Sequence, residues 1–450
     1  MRVIGIVAEF NPFHNGHGYL IRKAREIVND PRAIVMPVMS GFFTQRGLPA
    51  ICPPQVRARQ ALLCGADVVL ELPFSFSCAP SSRFAEGAIS ELISTGVVTD
   101  IAFGVDTDDT ELLKAIAASC FDDNELLDSK LNGYISTGIS YPRARALAIK
   151  DIAGSKGLSG DLDTLLSSPN SILALDYLLA LRKMDRKNRI NIIMIRREGD
   201  GYHSTEADST FASATALRNL ISETAQGGFR RSEIASKLTG LMPDISLGVM
   251  LSQNSAGVFS FPDYVSYVRD CMLTASASAS LDDTAYMSDD LSGYIRNLAK
   301  DIRPDTLRDD DHGLKLFEDR ISTKRYTLSR IYRALASLMA GQDSSNLDIR
   351  RPPYIRVLGF NQEGKYCLKI IGKCAKIPVI NRPSDCLELE SGNEELKKIF
   401  ELDMRAASAG WKLYGKDTAS EWEAIPVIVK KIQAEQSRPP QKRQTAGLFS

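Results

Sequence analysis

Over its first half the chain alternates short apolar runs with stretches of helical periodicity. Val3–Ala8 (VIGIVA) is apolar and β-branched, and it is too short to span anything; it predicts a strand buried on both faces. Ala33–Ser40, Asp67–Leu72, Val97–Gly104 and Ile190–Arg197 predict four more strands. Between them Leu20, Ile21, Ala24, Ile27 and Val28 recur at helical spacing, and Gln55–Cys64, Arg83–Thr95 and Ser171–Met184 read as helices, the first two stopped at Gly65 and Gly96. Further helices are expected near 109–121 and 141–153. Strands alternating with helices predict an α/β fold, a doubly wound parallel five-stranded sheet. With strand order 3-2-1-4-5, ligands would lie beyond the carboxyl ends of strands one and four.

The second half reads differently. Residues 226–320 are helical with acidic loops (Asp282, Asp283, Asp289, Asp290, Asp309–Asp311) and carry no motif. Beyond Asn361 a β-hairpin is expected with Gly364 in its turn, and from Ala434 the Pro, Gln and basic residues predict disorder. The expected division is residues 1–225, a helical and partly basic unit 226–345, a small mixed α/β segment 346–432, and a disordered basic tail 433–450.

With 450 residues and 44% hydrophobic content, a sizeable core is available. Lysine plus arginine equals aspartate plus glutamate at 55 each, so bulk charge selects no partner and nucleic acid would need a local patch. Eight scattered cysteines without a C-x-x-C pair suit a reducing compartment. No apolar run approaches the ~20 residues of a membrane span, so the expectation is a cytoplasmic protein.

The chemistry concentrates after strand one. Glu9-Phe10-Asn11-Pro12-Phe13 forms a turn, and His14-Asn15-Gly16-His17 opens the following helix. Free N–H groups and the positive end of the helix dipole make such a junction a phosphate site. His14 and His17, three apart, project to one side, Gly16 lets a phosphate approach the backbone, and two imidazoles could donate to an α-phosphate. A metal is not expected, because one H-x-x-H offers two ligands and no further cluster completes a shell. Phe211–Leu220 offers a second cradle, with Ser213 and Thr215 at a helix start and Arg218 one turn on; a simple N-cap explains the same residues. Gly104, ending strand four, could face an adenosine or be a plain turn glycine. Asn170 is a ligand or a cap, and Arg197 a phosphate clamp or a surface ion pair.

Residues 320–358 hold eight basic residues and two acids. Lys324, Arg325, Tyr326, Arg330 and Arg333 mix cations with aromatic surface, with Arg330 and Arg333 on one helix face and Tyr332 interleaved. That suits structured RNA rather than DNA, although a solvated helix face has the same composition.

The H-x-G-H string resembles the nucleotidylyltransferase superfamily signature, and IVAEFNPFHNGHGYLI resembles specifically the bacterial tRNA(Met) cytidine acetate ligase family. Ser40–Ile51 (S-G-x-F-x-Q-R-G-x-P-A-I), Gly65–Pro73, Pro169-Asn170, Arg197–His203, the T-K-R-Y-T run from Thr323 and Tyr354–Phe360 fall in the family's order. Ser213, Thr215 and Arg218 resemble the superfamily's second signature. The resemblance spans roughly residues 1–405. It implies a nucleotidylyltransferase-like Rossmann fold and an ATP site made of Val7, Ala8, Glu9, Phe10, Asn11, Pro12, Phe13, His14, Asn15, Gly16, His17, Gly18, Tyr19, Leu20, Gly104, Asn170 and Arg196 or Arg197. It implies acetate activation as acetyl-adenylate, transfer to the wobble cytidine of elongator tRNA(Met), and Mg²⁺ on the β- and γ-phosphates. Two positions depart from the family: Phe42 replaces a small polar residue, and Val105-Asp106 replaces Ser-Glu. The residues alone also admit a small-molecule nucleotidylyltransferase with an accessory C-terminal half, or an RNA-binding factor on a relic nucleotide fold.

Overall fold

In the computed structural model all residues are described except 186, 198–211, 226–230, 253–260, 277–279, 303–312, 324, 388–391, 417–420 and 431–450. Tyr202, His203, Phe211, Asp309–Asp311, Lys324 and the basic tail therefore lie outside the described residues. The five expected strands are present as β1 (Val3–Val7), β2 (Ile34–Ser40), β3 (Val68–Leu72), β4 (Asp100–Val105) and β5 (Asn191–Arg196). They run parallel in the order β5-β4-β1-β2-β3. Because β1 lies between β2 and β4, its carboxyl end faces the point where the winding reverses. Both faces of the sheet are covered. One core centres on Met36, Val38, Leu70, Ile89 and Leu92, and the other on Ile4, Ile6, Val35, Val69 and Ala102.

The sheet is larger than five strands. From the C-terminal half, β6 (Ile355–Phe360) pairs antiparallel with β3, and β7 (Val379–Ile380) and β8 (Val427–Ile428) pair parallel with β6. Residues 346–428 thus extend the first sheet. The expected hairpin after Asn361 is a helix, Gln362–Cys374. The Asn361 side chain accepts from the Gly364 N–H at 2.9 Å and donates to Asp67 at 2.8 Å, so it caps the helix and ties it to β3 together. Gly364, Cys367 and Ile371 are its buried residues, a helical spacing that Gly364 masks when it is taken for a turn glycine.

The helices Phe261–Ser276, Asp289–Asp301, Gly313–Ile321 and Leu328–Ala340 share a second core with the long helix Glu394–Leu413. No described helix is long and apolar enough to cross a membrane.

A Cβ on Gly364 would sit 1.9 Å from the Asp67 carbonyl oxygen, backbone against side chain, whereas one on Gly372 in the same helix meets nothing within 4 Å. Gly364→Ala should therefore cost roughly 1–3 kcal/mol as an overpacked contact. Gly372→Ala should stabilise by roughly 0.5–1 kcal/mol. Thermal melts of the two variants check this; equal melting temperatures would contradict the packing described.

Candidate functional site

The turn after β1 is pulled into shape by its own side chains. Phe10 adopts a left-handed conformation (φ 48°), held by its ring packing 5.0 Å from Phe13 and 5.0 Å, edge-on, from His17. His14 is the N-cap of the helix Asn15–Val28. Its Nδ1 accepts the Gly16 N–H at 3.1 Å, and the His17 Nδ1 accepts the His14 N–H at 3.2 Å. This is a reciprocal capping box built from two imidazoles. The rings stack with centroids 3.9 Å apart. With both Nδ1 lone pairs occupied, each neutral ring carries its proton on Nε2, on the side away from the backbone.

Their charge state follows from the surroundings. Burial, then the positive charges of Arg197 and Arg218, pushes His14 down to about 3. Burial, His14 and Arg197 hold His17 well below its usual value. The pair presents two neutral N–H donors in the positive field of Arg197, with Arg218 also acting on His14. Gly16 serves this stack directly: a Cβ there would fall 2.9 Å from the His14 ring, so the space expected to admit a phosphate is filled by imidazole. Gly18 is the open glycine, with nothing nearer to a Cβ than Phe13 at 4.0 Å.

The other expected residues divide by partner. Ala8 continues the β1–β2 ladder, its N–H on the Val38 carbonyl. Glu9 accepts the Gln45 N–H at 2.6 Å, and Asn11 accepts the Ile51 N–H at 2.7 Å. Tyr19 lies under Arg22, and Leu20 packs on the sheet. Arg196 and Arg197 leave β5 on opposite sides. Arg196 pairs with Asp108, whereas Arg197 lies across Gly104, whose Cβ would meet its Cγ at 3.2 Å. Of that pair only Arg197 acts on the imidazoles. Ser168, not Asn170, caps the helix Pro169–Met184. Asn170 donates to the Asp106 carboxylate at 2.9 Å, so Asp106 holds Ser168 and Asn170 together.

The second cradle meets the first. Ser213 Oγ accepts the Ala216 N–H at 3.1 Å as a helix cap. Arg218 donates to Thr215 Oγ1 at 2.9 Å and reaches back to the Asn11 carbonyl at 2.8 Å. Arg218, with Thr215 bonded to it, therefore stands at the mouth of β1 and acts on His14.

Several residues that hold this geometry carry no sequence signal. Arg57 is fully buried and donates to the carbonyls of Glu9 (2.7 Å), Ser40 (3.0 Å), Cys52 (2.9 Å) and Gly41. Ser246 Oγ donates to the Phe13 carbonyl at 3.0 Å, and Asn15 Nδ2 to the Gly240 carbonyl at 2.7 Å. The helical stretch that showed no motif braces the back of the imidazole turn. Only the partner carbonyls, invisible in a sequence, reveal these roles.

In the basic segment the expected surface is partly internal. Arg330 and Arg325 flank the Tyr326 ring at 4.8 and 5.5 Å. Tyr332 is buried and donates to Glu318 at 3.0 Å. Arg333 is not on the exposed face either: it is 9% exposed, because the loop around Gly47 seats directly on the backbone at Tyr332 and Arg333. Phe42, the other departure, is turned into the core, 5.0 Å from Trp411 and against Gly410, where a Cβ would clash with its ring.

Residues 1–423 match the family described as HIGH Nucleotidyl Transferase. The chain is 33% identical over 413 residues to a tRNA(Met) cytidine acetate ligase of Acetivibrio thermocellus, covering 90% of this chain and 94% of that one. It is 32% identical over 442 residues to the Clostridium kluyveri protein of the same name, covering 96% and 100%. The chain belongs to the tRNA(Met) cytidine acetate ligase family. It is accordingly a ligase. Its fold matches Thermotoga maritima TmcAL bound with alpha-thio ATP at a TM-score of 0.82, with 27% identity and coverage of 96% and 100%. The apo form of that protein matches at 0.83.

Folded, His14 takes up a proton only near pH 3, while the unfolded chain does so near 6.5. The unfolded state therefore binds more protons in this window, and stability falls as pH falls. At pH 5 this loss is about 2 kcal/mol for His14 alone. His14→Asn should flatten the decline in denaturant-derived stability between pH 7 and 5, and an unchanged slope would contradict a buried neutral imidazole.

Proposed function

We propose that the chain uses ATP to activate acetate as acetyl-adenylate and transfers the acetyl group to the N4 amine of the wobble cytidine of elongator tRNA(Met). The observation that carries this reading is the imidazole pair: two neutral Nε2–H donors, fixed by backbone N–H groups at a helix N-terminus, with Arg197 and Arg218 alongside. The name and bound nucleotide analogue of the Thermotoga relative support ATP as the occupant.

An acetate oxygen bonds to the α-phosphorus while the bond to the bridging pyrophosphate oxygen breaks. Charge gathers on the α-phosphate oxygens in that transition state, where His14 and His17 donate to them. Arg197, and Arg218 with Ser213 and Thr215, neutralise the departing pyrophosphate. The N4 lone pair of cytidine is delocalised into its ring, so only an anhydride as reactive as acetyl-adenylate suits it. N4 attacks the acetyl carbon, loses a proton, and AMP leaves with the former acetate oxygen. Water exclusion protects the intermediate between the two steps. Mg²⁺, brought in with the nucleotide, would supply further positive charge to its phosphates. RNA would approach over Arg325, Tyr326 and Arg330.

ATP–pyrophosphate exchange should require acetate, and labelled acetate should become acid-stable on unmodified tRNA(Met). Exchange driven by a phosphorylated metabolite instead would replace this reading with that of a small-molecule nucleotidylyltransferase. His17→Asn, which cannot supply a donor at the Nε2 position, should slow exchange by about 10²–10³. His17→Gln, which can, should retain measurably more. Equal rates for the two variants would remove the imidazole donors from the chemistry.

A further inference from the structure

Among the described residues Arg333 is a buried cation without a counter-ion. It makes no ion pair and no side-chain hydrogen bond among the described residues, and its Nε is buried without a partner. Its guanidinium lies 5.9 Å over the ring of Tyr286, whose hydroxyl is also buried and unpartnered. Tyr286 is held in a left-handed backbone conformation (φ 63°), a strained state for a residue with a Cβ. The thiol of Cys78, which acts on Arg333 electrostatically, is pushed up to about 12 by burial and stays neutral. Arg46 and Arg330 add further positive charge, both disfavouring the charged form of Arg333. Two unused buried donors on a forced backbone are costly unless an anion completes them.

The position of the group narrows which anion. Gly47 (φ 97°) has its Cβ site 2.4 Å from the Arg333 backbone nitrogen, so the loop 44–47 rests on this helix. The neighbouring Gln45 N–H is held by Glu9 of the turn after β1. On its other side the group continues into Arg330, Tyr326 and Arg325 at the surface. A guanidinium fork beside a hydroxyl suits a tetrahedral oxyanion, and cations alternating with aromatic faces suit a nucleic-acid backbone.

We propose that Arg333 and Tyr286, rimmed by Arg46 and Arg330, form a slot for one backbone phosphate of the RNA, next to the nucleotide being acetylated. The slot rests on the RNA-modifying reading given above. It differs from the surface residues in kind: they supply diffuse attraction, whereas the slot fixes register, one loop away from the imidazole turn.

Binding of unmodified tRNA(Met) by the full chain, titrated between 50 and 200 mM salt, tests it. Arg333→Met should weaken binding by at least about tenfold and reduce the slope of log Kd against log salt by about one. Its melting temperature should not fall, since an unpaired buried charge is replaced by an apolar chain. Arg333→Lys should keep the slope but bind more weakly, because the fork is lost. Unchanged affinity and slope in Arg333→Met would overturn the slot. If that variant melts early, Tyr286→Phe decides: several-fold weaker tRNA binding supports the slot, and unchanged binding overturns it. A parent chain that binds no tRNA(Met) would overturn the RNA-modifying reading together with the slot, whereas normal parent binding with unaffected variants would overturn the slot alone.

Discussion

Two backbone N–H groups at the start of one helix are donated to two imidazole Nδ1 atoms, and the rest of the site follows from that exchange. Every helix leaves its first N–H groups without partners. Most chains satisfy them with a hydroxyl or carboxylate; this one uses aromatic nitrogens. The cap then does three things at once. It fixes ring orientation, it selects the tautomer, and through burial it keeps the rings uncharged. A protonated imidazole could not accept from the backbone, so ionisation and the fold of the turn exclude each other.

Such a turn does not hold itself. Phe10 is held in a left-handed conformation, and the carbonyls of Glu9, Ser40, Gly41 and Cys52 gather around one position. Arg57 resolves this by donating to all four from a fully buried position. Burial of its charge costs several kcal/mol, and charge-assisted hydrogen bonds of about 1.5–3 kcal/mol each offset it. Burial lowers its pKa, but a guanidinium has far to fall before it loses its proton. The C-terminal half closes the same loop from outside: Tyr414 donates to the Ala50 carbonyl, and Gly410 leaves room for Phe42. The sheet, the helical region and the long C-terminal helix therefore converge on a few loop carbonyls, which makes the second half of the chain part of the site's support.

The parallel strands, their order and the imidazole turn were legible in the sequence because each depends on local pattern: an apolar run, a helical repeat, a histidine pair at the junction. The strand β6 was legible only as a family motif, since antiparallel addition to β3 is a long-range event without local signature. The helix after Asn361 was misread for a definite reason. Gly364 looks like a turn residue, yet it is required by the close approach of Asp67. Arg196 and Arg197 could not be separated until the strand was placed, because neighbours on a strand face opposite ways. Helical spacing puts Arg333 beside Arg330, while its burial next to the seat of Gly47 is a tertiary fact that no local pattern carries. Arg57 sits in an ordinary helix sequence, and nothing local distinguishes it from a solvated arginine.

The tautomer and charge of the two imidazoles are the centre of this account, and nitrogen NMR of the ¹⁵N-histidine-labelled protein reads both. The account predicts that His14 and His17 each show a protonated Nε2 and a hydrogen-bonded, unprotonated Nδ1 at neutral pH, with no titration of His14 down to pH 5. A proton on either Nδ1, or uptake of a second proton near pH 6.5, would contradict it.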